Sequence, residues 1–274
     1  MPIEEGLFWT RDGERLFYRF QAGFPDSPLL LLLHGHGEHS GRYLKFFNRL
    51  ADLHFSMAVF DQRGCGRSSG TPVYVSRLED YLDDVSSFLD FLKHRHPGFS
   101  SLYLFGHSLG GLVATAWADR RGEGISKLIL SSPLFGLPMK RLMKWFVELL
   151  NRWVPQGVIH NPVRPFYLTH DPEEMRLYQQ DSLIQRRITV RLVHEMLRYI
   201  SFFEQKSVSF LFPVYILMAA EDFVVDPEAT RRFFERLQAP HKVLKSFPGF
   251  FHEIFDEKGQ DEVFKELRKC LTDH

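Results

Sequence analysis

The chain has 274 residues, in which 34 lysines and arginines balance 34 aspartates and glutamates, so its formal net charge is zero. Hydrophobic residues make up 44% of it and charged residues 25%, which excludes disordered, collagen-like and coiled-coil chains. A general nucleic-acid binder is not expected either, because attraction to phosphates needs a basic surplus. The length suits one large domain, or one domain with an insertion.

Phenylalanine is unusually frequent, with 27 copies. These rings either fill the core or line an apolar ligand site, and composition does not separate the two. Cys65 and Cys270 are too few and too distant to form a disulfide framework, which favours a reducing compartment. The first residues lack a secretory pattern, and no apolar run approaches the roughly 20 residues of a membrane span. We therefore expect a cytoplasmic protein.

Short apolar strands alternate with amphipathic helices along most of the chain. A hairpin is predicted over residues 7–21, with Asp12-Gly13 at its turn. Further strands are predicted at 29–33, 57–60, 102–105, 128–130, 213–218 and 243–247, and helices at 43–53, 78–93, 109–119, 227–237 and 256–271. This alternation predicts an α/β fold, with a mostly parallel sheet flanked by helices.

The alternation stops between residues 136 and 207, where the pattern is helical and contains prolines but no clear strand. We predict a core formed by 1–135 and 208–274, with 136–207 inserted between two strands as a helical cap. This insertion carries eleven lysines and arginines against seven acidic residues, so the cap is basic although the whole chain is neutral.

The pentapeptide Gly106-His107-Ser108-Leu109-Gly110 has the form G-x-S-x-G. It follows a predicted strand and opens a predicted helix, the setting of a nucleophile elbow that lifts the serine oxygen off the sheet. A plain glycine-serine turn is the simpler interpretation. The residues downstream favour the nucleophile.

A nucleophilic serine needs a base to take its proton and an acid to orient that base, in the chain order Ser, acid, His. Glu221, Asp222 and Asp226 follow the predicted strand 213–218. Asp226 precedes Pro227 and a helix, as an N-cap would. Asp222 begins the loop and is our predicted acid, with Glu221 as the alternative.

Six histidines follow Ser108, and only one lies where a base is expected. Three fall in the insertion, one precedes the last strand and one is terminal: His160, His170, His194, His241 and His274. His252 lies in the loop after the last strand, at the strand ends where such sites form, and is the predicted base.

The segment 34–39 reads HGHGEH and follows the strand 29–33. Its glycines let backbone amides approach a substrate, so we predict an oxyanion hole formed by the N–H groups of His36 and Leu109. The same letters are similar to the H-x-H-x-D-H motif of metallo-β-lactamase-type hydrolases, and zinc is chemically reasonable there. A metal site would leave the elbow, Asp222 and His252 unexplained together, so we expect neither metal nor cofactor.

Six segments together resemble the monoglyceride lipase and lysophospholipase branch of the α/β-hydrolase superfamily, grouped with the S33-like serine aminopeptidases. They are HGHGEHSGRY (34–43), DQRGCGRSSG (61–70), GHSLGG (106–111), the cap stretch 169–197, AAEDFVVDP (219–227) and FPGFFHEIFDE (247–257). The resemblance spans nearly the whole chain. It implies an α/β-hydrolase fold, a triad of Ser108, Asp222 and His252, and the same oxyanion amides. Cys65 stands where relatives usually carry histidine, outside the triad.

The cap begins with an amphipathic helical pattern over 139–154. Its apolar stripe consists of Met139, Leu142, Phe146, Leu149, Leu150 and Trp153, with Trp145 at the edge. The stripe either packs within the cap or contacts lipid surfaces, with basic residues toward anionic head groups. Relatives of this branch use such a cap to admit lipid chains, so we expect Leu142, Trp145, Phe146 and Leu149 to contact substrate.

We therefore predict a cofactor-free serine ester hydrolase that acts on a small acyl ester or a monoacyl lipid through an acyl-enzyme. The cap makes peripheral membrane contact a further expectation. The enzyme alternatives are a short-chain carboxylesterase and an S33-type peptidase. A peptidase would need cap acids facing Ser108, among them Glu173, Glu174, Glu195 and Glu204. The non-enzyme alternative is a ligand-binding protein on the same fold.

Overall fold

A single eight-stranded sheet organises the computed structural model, which describes residues 2–122, 124–161 and 163–273. The strands are β1 Glu4–Trp9, β2 Arg15–Gln21, β3 Leu29–Leu33, β4 Ser56–Phe60, β5 Leu102–His107, β6 Ile125–Ser131, β7 Val158–His160, β8 Arg187–Thr189, β9 Val214–Ala219 and β10 Lys242–Phe247. The sheet order is β1-β2-β4-β3-β5-β6-β9-β10. Within this sheet, as the structure describes it, only the pairs β1–β2 and β2–β4 are antiparallel, so the sheet is mostly parallel, as predicted. Strands β7 and β8 lie outside it and pair with each other.

Helices cover both faces of this sheet. They are α1 Leu44–Arg49, α2 Glu79–Arg95, α3 Leu109–Arg121, α4 Arg141–Trp153, α5 Pro172–Gln180, α6 Val190–Gln205, α7 Pro227–Arg236 and α8 Gln260–Thr272. The leucines of β3 show why this strand is apolar throughout. Leu29, Leu31 and Leu33 join the core beneath α2 and α3, whereas Leu30 and Leu32 join the core beneath α1 and α8. A strand that is buried on both faces has no polar alternation.

Two predicted helices are shorter than the sequence pattern indicated. The segment 43–53 is divided into a 3-10 turn at Ser40–Tyr43, α1, and a second 3-10 turn at Ala51–Leu53, which ends at His54 in the left-handed region. The segment 256–271 becomes helical only at Gln260, after Gly259. In both segments the apolar spacing is helical, but local backbone geometry interrupts the helix.

The segment 136–207 lies between β6 and β9 and contains α4, α5 and α6 together with two strands that we did not predict. These strands, β7 and β8, pair antiparallel over three residues each, which is too short for alternation to reveal them. Helix α6 attaches this segment to the core. The Tyr199 hydroxyl donates to Glu79 at 2.9 Å, and the Leu78 N–H donates to Glu195 at 3.0 Å.

Most of the phenylalanines are buried in the core. Nine phenylalanines are among the largest fully buried side chains: Phe8, Phe20, Phe47, Phe60, Phe88, Phe105, Phe135, Phe203 and Phe247. Several contact one another edge to face, such as Phe8 and Phe60 with ring centroids 5.7 Å apart. The Phe excess therefore reflects aromatic core packing first, and ligand contact is left to a few exposed rings such as Phe146 and Phe223.

Lys127 is a buried cation that ties β6 to the end of α8. Its Nζ donates to the carbonyls of Cys270 and Leu271 at 3.0 and 3.1 Å, the carbonyls that a helix leaves unpaired at its C-terminus. We expect Lys127→Met to lower the free energy of unfolding by about 1–3 kcal/mol, because these acceptors stay buried without a donor. Urea denaturation measures this loss. The exposed Lys269→Met on the same helix is the control, and an equal effect of both variants would contradict the assignment.

Candidate active site

Ser108 lies at the turn between β5 and α3, with φ 53° and ψ −118°. A positive φ is strained for a residue with a side chain and persists only where the surroundings enforce it. The Ser108 N–H donates to the Ser131 carbonyl of β6 at 2.9 Å, and the Ser108 carbonyl accepts from Gly111 at 3.0 Å. The turn has the geometry of the nucleophile elbow predicted from G-x-S-x-G.

The two motif glycines are required by close backbone approach. A Cβ on Gly106 would overlap the Gly110 carbonyl, and a Cβ on Gly110 would overlap the Leu33 carbonyl of β3. Any larger residue would push α3 away from the sheet, and with it the serine at its start.

The structure brings Ser108, Asp222 and His252 together in one chain of hydrogen bonds. His252 Nε2 lies 2.9 Å from Ser108 Oγ, and His252 Nδ1 lies 2.7 Å from Asp222 Oδ2. A carboxylate only accepts, so Nδ1–H donates to Asp222 and Nε2 is left to accept the serine proton. The other carboxylate oxygen, Asp222 Oδ1, accepts from the Val224 and Val225 amides at 2.8 and 2.9 Å, which fixes the acid.

The other acids and histidines lie in different settings. Glu221, the alternative acid, is exposed. Asp226 caps α7, where its Oδ1 accepts from the Glu228 N–H at 3.0 Å, as its position before Pro227 indicated. His170 pairs with Glu257 and His241 lies near Asp273, whereas His274 lies outside the described residues.

The loop after β3 passes directly beside Ser108, since a Cβ on Gly35 would lie 3.3 Å from Ser108 Cβ. The Gly35 N–H is occupied, because it donates to Glu38 Oε2 at 2.8 Å. Among the described residues, the His36 N–H has no protein acceptor. Leu109 is the first residue of α3, so its N–H has no partner within the helix. Both proposed oxyanion donors are therefore available to a ligand.

The histidines of the HGHGEH segment point in different directions and do not form a metal site. His34 Nε2 accepts from the Gln62 N–H at 2.9 Å, and His39 Nε2 lies 2.7 Å from Asp181. His36 Nε2 lies 3.1 Å from the Arg187 carbonyl in the cap. Burial lowers the pKa of His36 to about 4, so it is neutral and donates to this carbonyl.

A buried ionic cluster that sequence reasoning missed lies behind the triad. In the described part of the chain, Glu38, His107 and Glu253 alone have potential metal-ligand atoms within 4.8 Å of one another. Arg42 already pairs with Glu38 at 3.1 Å and lies 3.8 Å from Glu253. A divalent cation would be repelled by this guanidinium, so the cluster is better explained as ion pairs. Its members adjoin the motif residues in sequence, which is the signal that could have identified them.

The cap contacts both loops that form the site. The Gln185 N–H donates to the Gly37 carbonyl, and the Glu253 N–H donates to the Leu168 carbonyl, each at 2.8 Å. Ser108 is only 8% exposed and His252 only 3%. The two hydrogen bonds connect the inserted segment 136–207 to the loops on either side of the buried Ser108.

Cys65 is also buried, beside Gly37 in the loop after β3, and burial raises the pKa of its thiol to about 12. The residue is therefore a protonated, unreactive thiol, not a second nucleophile.

The four predicted substrate-contacting residues of the cap lie on the exposed side of α4. Their side chains are accessible to solvent, from 41% for Leu149 to 76% for Leu142, with Phe146 and Trp145 between them. Val147 is the buried residue of this helix. The stripe is thus mostly free of packing partners, which counts against the interpretation that it packs within the cap.

This combination of sheet, elbow and inserted cap defines an α/β-hydrolase. A family model described as "Serine aminopeptidase, S33" matches residues 26–259. The chain belongs to this hydrolase family, as its sequence motifs predicted.

Similar proteins have lipase and phospholipase names. The chain is 28% identical to Phospholipase YtpA of Bacillus subtilis, covering 90% of this chain and 96% of that one. It is 28% identical to human monoglyceride lipase, covering 95% and 88%. A crystal structure of a Paleococcus ferrophilus monoacylglycerol lipase superposes with a TM-score of 0.82 at 28% identity, covering 99% and 98%. The chain spans only 46% of another relative, YnbC of Escherichia coli.

Two carboxylates near the site allow a paired test. Asp222→Asn places an NH2 donor where Asp222 Oδ2 accepts from His252 Nδ1–H, so we expect kcat for ester hydrolysis to fall by about 10³–10⁴-fold. Asp226→Asn keeps an N-cap side chain, so we expect near-normal kcat and at most a small loss of stability. The two variants are compared by their initial rates on a p-nitrophenyl ester. Their melting temperatures are the folding control. Equal activities would contradict the choice of Asp222.

Proposed function

We propose that the protein is a serine carboxylic ester hydrolase that forms an acyl-enzyme on Ser108. The observation that carries this proposal is the continuous hydrogen-bond chain from Asp222 through His252 to Ser108 Oγ, with contacts of 2.7 and 2.9 Å. A serine whose proton faces the free nitrogen of an oriented histidine is an activated nucleophile.

The reaction proceeds in two halves. Ser108 Oγ attacks the ester carbonyl while His252 Nε2 takes its proton, and the His36 and Leu109 amides stabilise the oxyanion. The tetrahedral intermediate collapses, the proton passes from His252 to the alkoxy oxygen, and the alcohol leaves. Water then attacks the acyl-enzyme with His252 again as base, which releases the carboxylic acid and restores Ser108.

We assign monoacyl lipids, such as monoacylglycerols or lysophospholipids, as the substrate class. The names of two relatives support this assignment, monoglyceride lipase and phospholipase. The cap adds exposed apolar side chains, including Leu142, Trp145 and Phe146, that suit an acyl chain more than a small polar ester. No cofactor takes part in these steps.

The acidic residues of the cap do not favour a peptidase specific for free amino termini. Such an enzyme needs a carboxylate near the nucleophile to bind the substrate's ammonium group. Glu173 instead pairs with Arg176 at 2.6 Å, and Glu195 pairs with Arg198 at 2.7 Å. Glu174 lies 3.8 Å from Lys45, and Glu204 is exposed.

The nucleophile assignment is tested by Ser108→Ala. We expect kcat to fall by several orders of magnitude, because the triad acts as a unit, and a fluorophosphonate probe to label wild type but not the variant. His252 and Asp222 remain in place, so circular dichroism should be unchanged. A variant that keeps most of its esterase activity would refute the mechanism.

The substrate class is tested with a panel of monoacylglycerols, lysophospholipids, p-nitrophenyl esters of graded length and aminoacyl amides. We expect kcat/KM to be highest for long-chain monoacyl lipids. A preference for acetyl or butyryl esters would indicate a short-chain carboxylesterase, and a preference for aminoacyl amides would indicate a peptidase.

We also propose that α4 lies on lipid surfaces while the enzyme collects substrate. Among the described residues, no helix is long and apolar enough to cross a membrane. Helix α4 instead combines exposed Leu142, Phe146 and Trp153 with nearby Lys140 and Lys144, the composition of an interfacial helix.

Liposome co-sedimentation tests this contact. The double variant Leu142→Asp, Phe146→Asp should lose binding to anionic vesicles, because two carboxylates replace inserted side chains and meet negative head groups. The control is Leu211→Asp, since Leu211 is 96% exposed but lies outside the cap. Equal binding by wild type and the double variant would contradict the proposal.

A further inference from the structure

Two residues that flank the triad in sequence form an ion pair behind it. His107 precedes Ser108, and Glu253 follows His252. His107 Nε2 lies 3.3 Å from Glu253 Oε2, and the two side chains are only 5% and 11% exposed. His107 Nε2 has no hydrogen-bond partner among the described residues, so the contact is an ion pair. The His107 ring centroid lies 4.9 Å from that of His252, so the pair is in direct reach of the base.

Both members of the pair are fixed from outside the triad. His107 Nδ1 lies 3.1 Å from Ser131 Oγ at the end of β6. The Glu253 carboxylate lies 3.8 Å from Arg42, and its backbone N–H is bound by the Leu168 carbonyl of the cap. The pair therefore connects the strand that carries Ser108 with the loop that carries His252.

The surroundings favour charge on both members of the pair. Burial opposes a charge on His107, but the Glu253 carboxylate, and beyond it Glu38 and Asp222, outweigh burial and raise the pKa of His107. Burial likewise opposes ionisation of Glu253, but His107, Arg42 and His252 outweigh it and hold the pKa of Glu253 well below its usual range.

Both side chains of the pair are buried, so solvent screens these charges only weakly. The adjoining cavity has a volume of about 20 Å³, which is room for a single water molecule. The titratable and charged groups around the pair and His252 come from three places. These are the loop after β3 together with α1, the loop after β9, and the loop after β10. The groups are Glu38, Arg42, Tyr43, Lys45, Asp222, His252 and Asp256.

We propose that His107 and Glu253 are positioning residues which set the charge environment of the catalytic base and join its loop to the nucleophile strand. This inference rests on the proposed function, because it assigns a role relative to His252 as base. The Glu253 carboxylate alone would stabilise a protonated His252 and so remove the base from its active form. In the ion pair, the charge of His107 offsets that of the Glu253 carboxylate beside His252.

The sign of the expected effect follows from which charge remains. In His107→Gln, Glu253 keeps its charge without the histidine cation, so His252 binds its proton more tightly. The acidic limb of kcat/KM, which reports the base in free enzyme, should move to higher pH by about one unit. In Glu253→Gln, His107 loses its partner and burial returns it to the neutral form, so both charges vanish and the shift is small.

The experiment compares the pH dependence of kcat/KM for p-nitrophenyl butyrate in wild type, His107→Gln, Glu253→Gln and the double variant. The acidic limb of the double variant should move back toward that of wild type, because Glu253→Gln removes the carboxylate that His107→Gln leaves unpaired. The matched control is His96→Gln, since His96 also lies 3.3 Å from a glutamate, Glu4 on the edge strand β1. The acidic limb of the kcat/KM profile of His96→Gln should coincide with that of wild type.

Two results would overturn the inference: a His107→Gln limb that coincides with wild type, or a double variant displaced as far as His107→Gln. If His107→Gln does not fold, His107→Asn makes the same charge deletion with a smaller side chain. Failure of the proposed function is distinguishable, because wild type would then show no hydrolysis that Ser108→Ala removes.

Discussion

The backbone conformation of Ser108 is the constraint on which the site depends. Its positive φ is enforced from both sides, by the hydrogen bond from its N–H to the Ser131 carbonyl and by two glycines that let α3 begin almost in contact with β3 and β5. The same close approach places the Leu109 amide at the start of the helix, where it is unpaired. A single strained residue thus fixes the direction of the serine oxygen and the position of the Leu109 amide.

Much of this site was predictable because a parallel sheet brings its loops to one edge. Ser108, Asp222 and His252 each follow a strand of the parallel sheet. That placement separates His252 from His241, whereas the position before Pro227 marks Asp226 as an N-cap. The side-chain directions within HGHGEH were not predictable. His34, His36 and His39 find partners 28, 151 and 142 residues away in sequence, and only tertiary structure brings those partners near.

The limits of periodicity are clearest in the cap. Helical spacing identified the apolar stripe of α4, but spacing does not tell whether another element covers that face. The structure leaves Leu142 and Trp153 about three-quarters exposed and buries Val147 instead. Likewise, β7 and β8 are strands of three residues, and each pairs with a partner some thirty residues away. No local sequence pattern predicts such strands. His107 and Glu253 were missed for a related reason, since their pairing exists only when two distant loops meet.

The bonds between cap and core have a consequence for how such a protein can diversify. The link from Gln185 to Gly37 and the link from Glu253 to Leu168 are both made by main-chain groups. Side chains between these anchor points can therefore be exchanged without loss of either contact, provided that the backbone path is kept. Asp181, Glu195 and Tyr199 also bond to the core through their side chains. Chimeras with caps of equal length that keep these three residues should therefore preserve the alignment of the loops around Ser108 while they alter what reaches them.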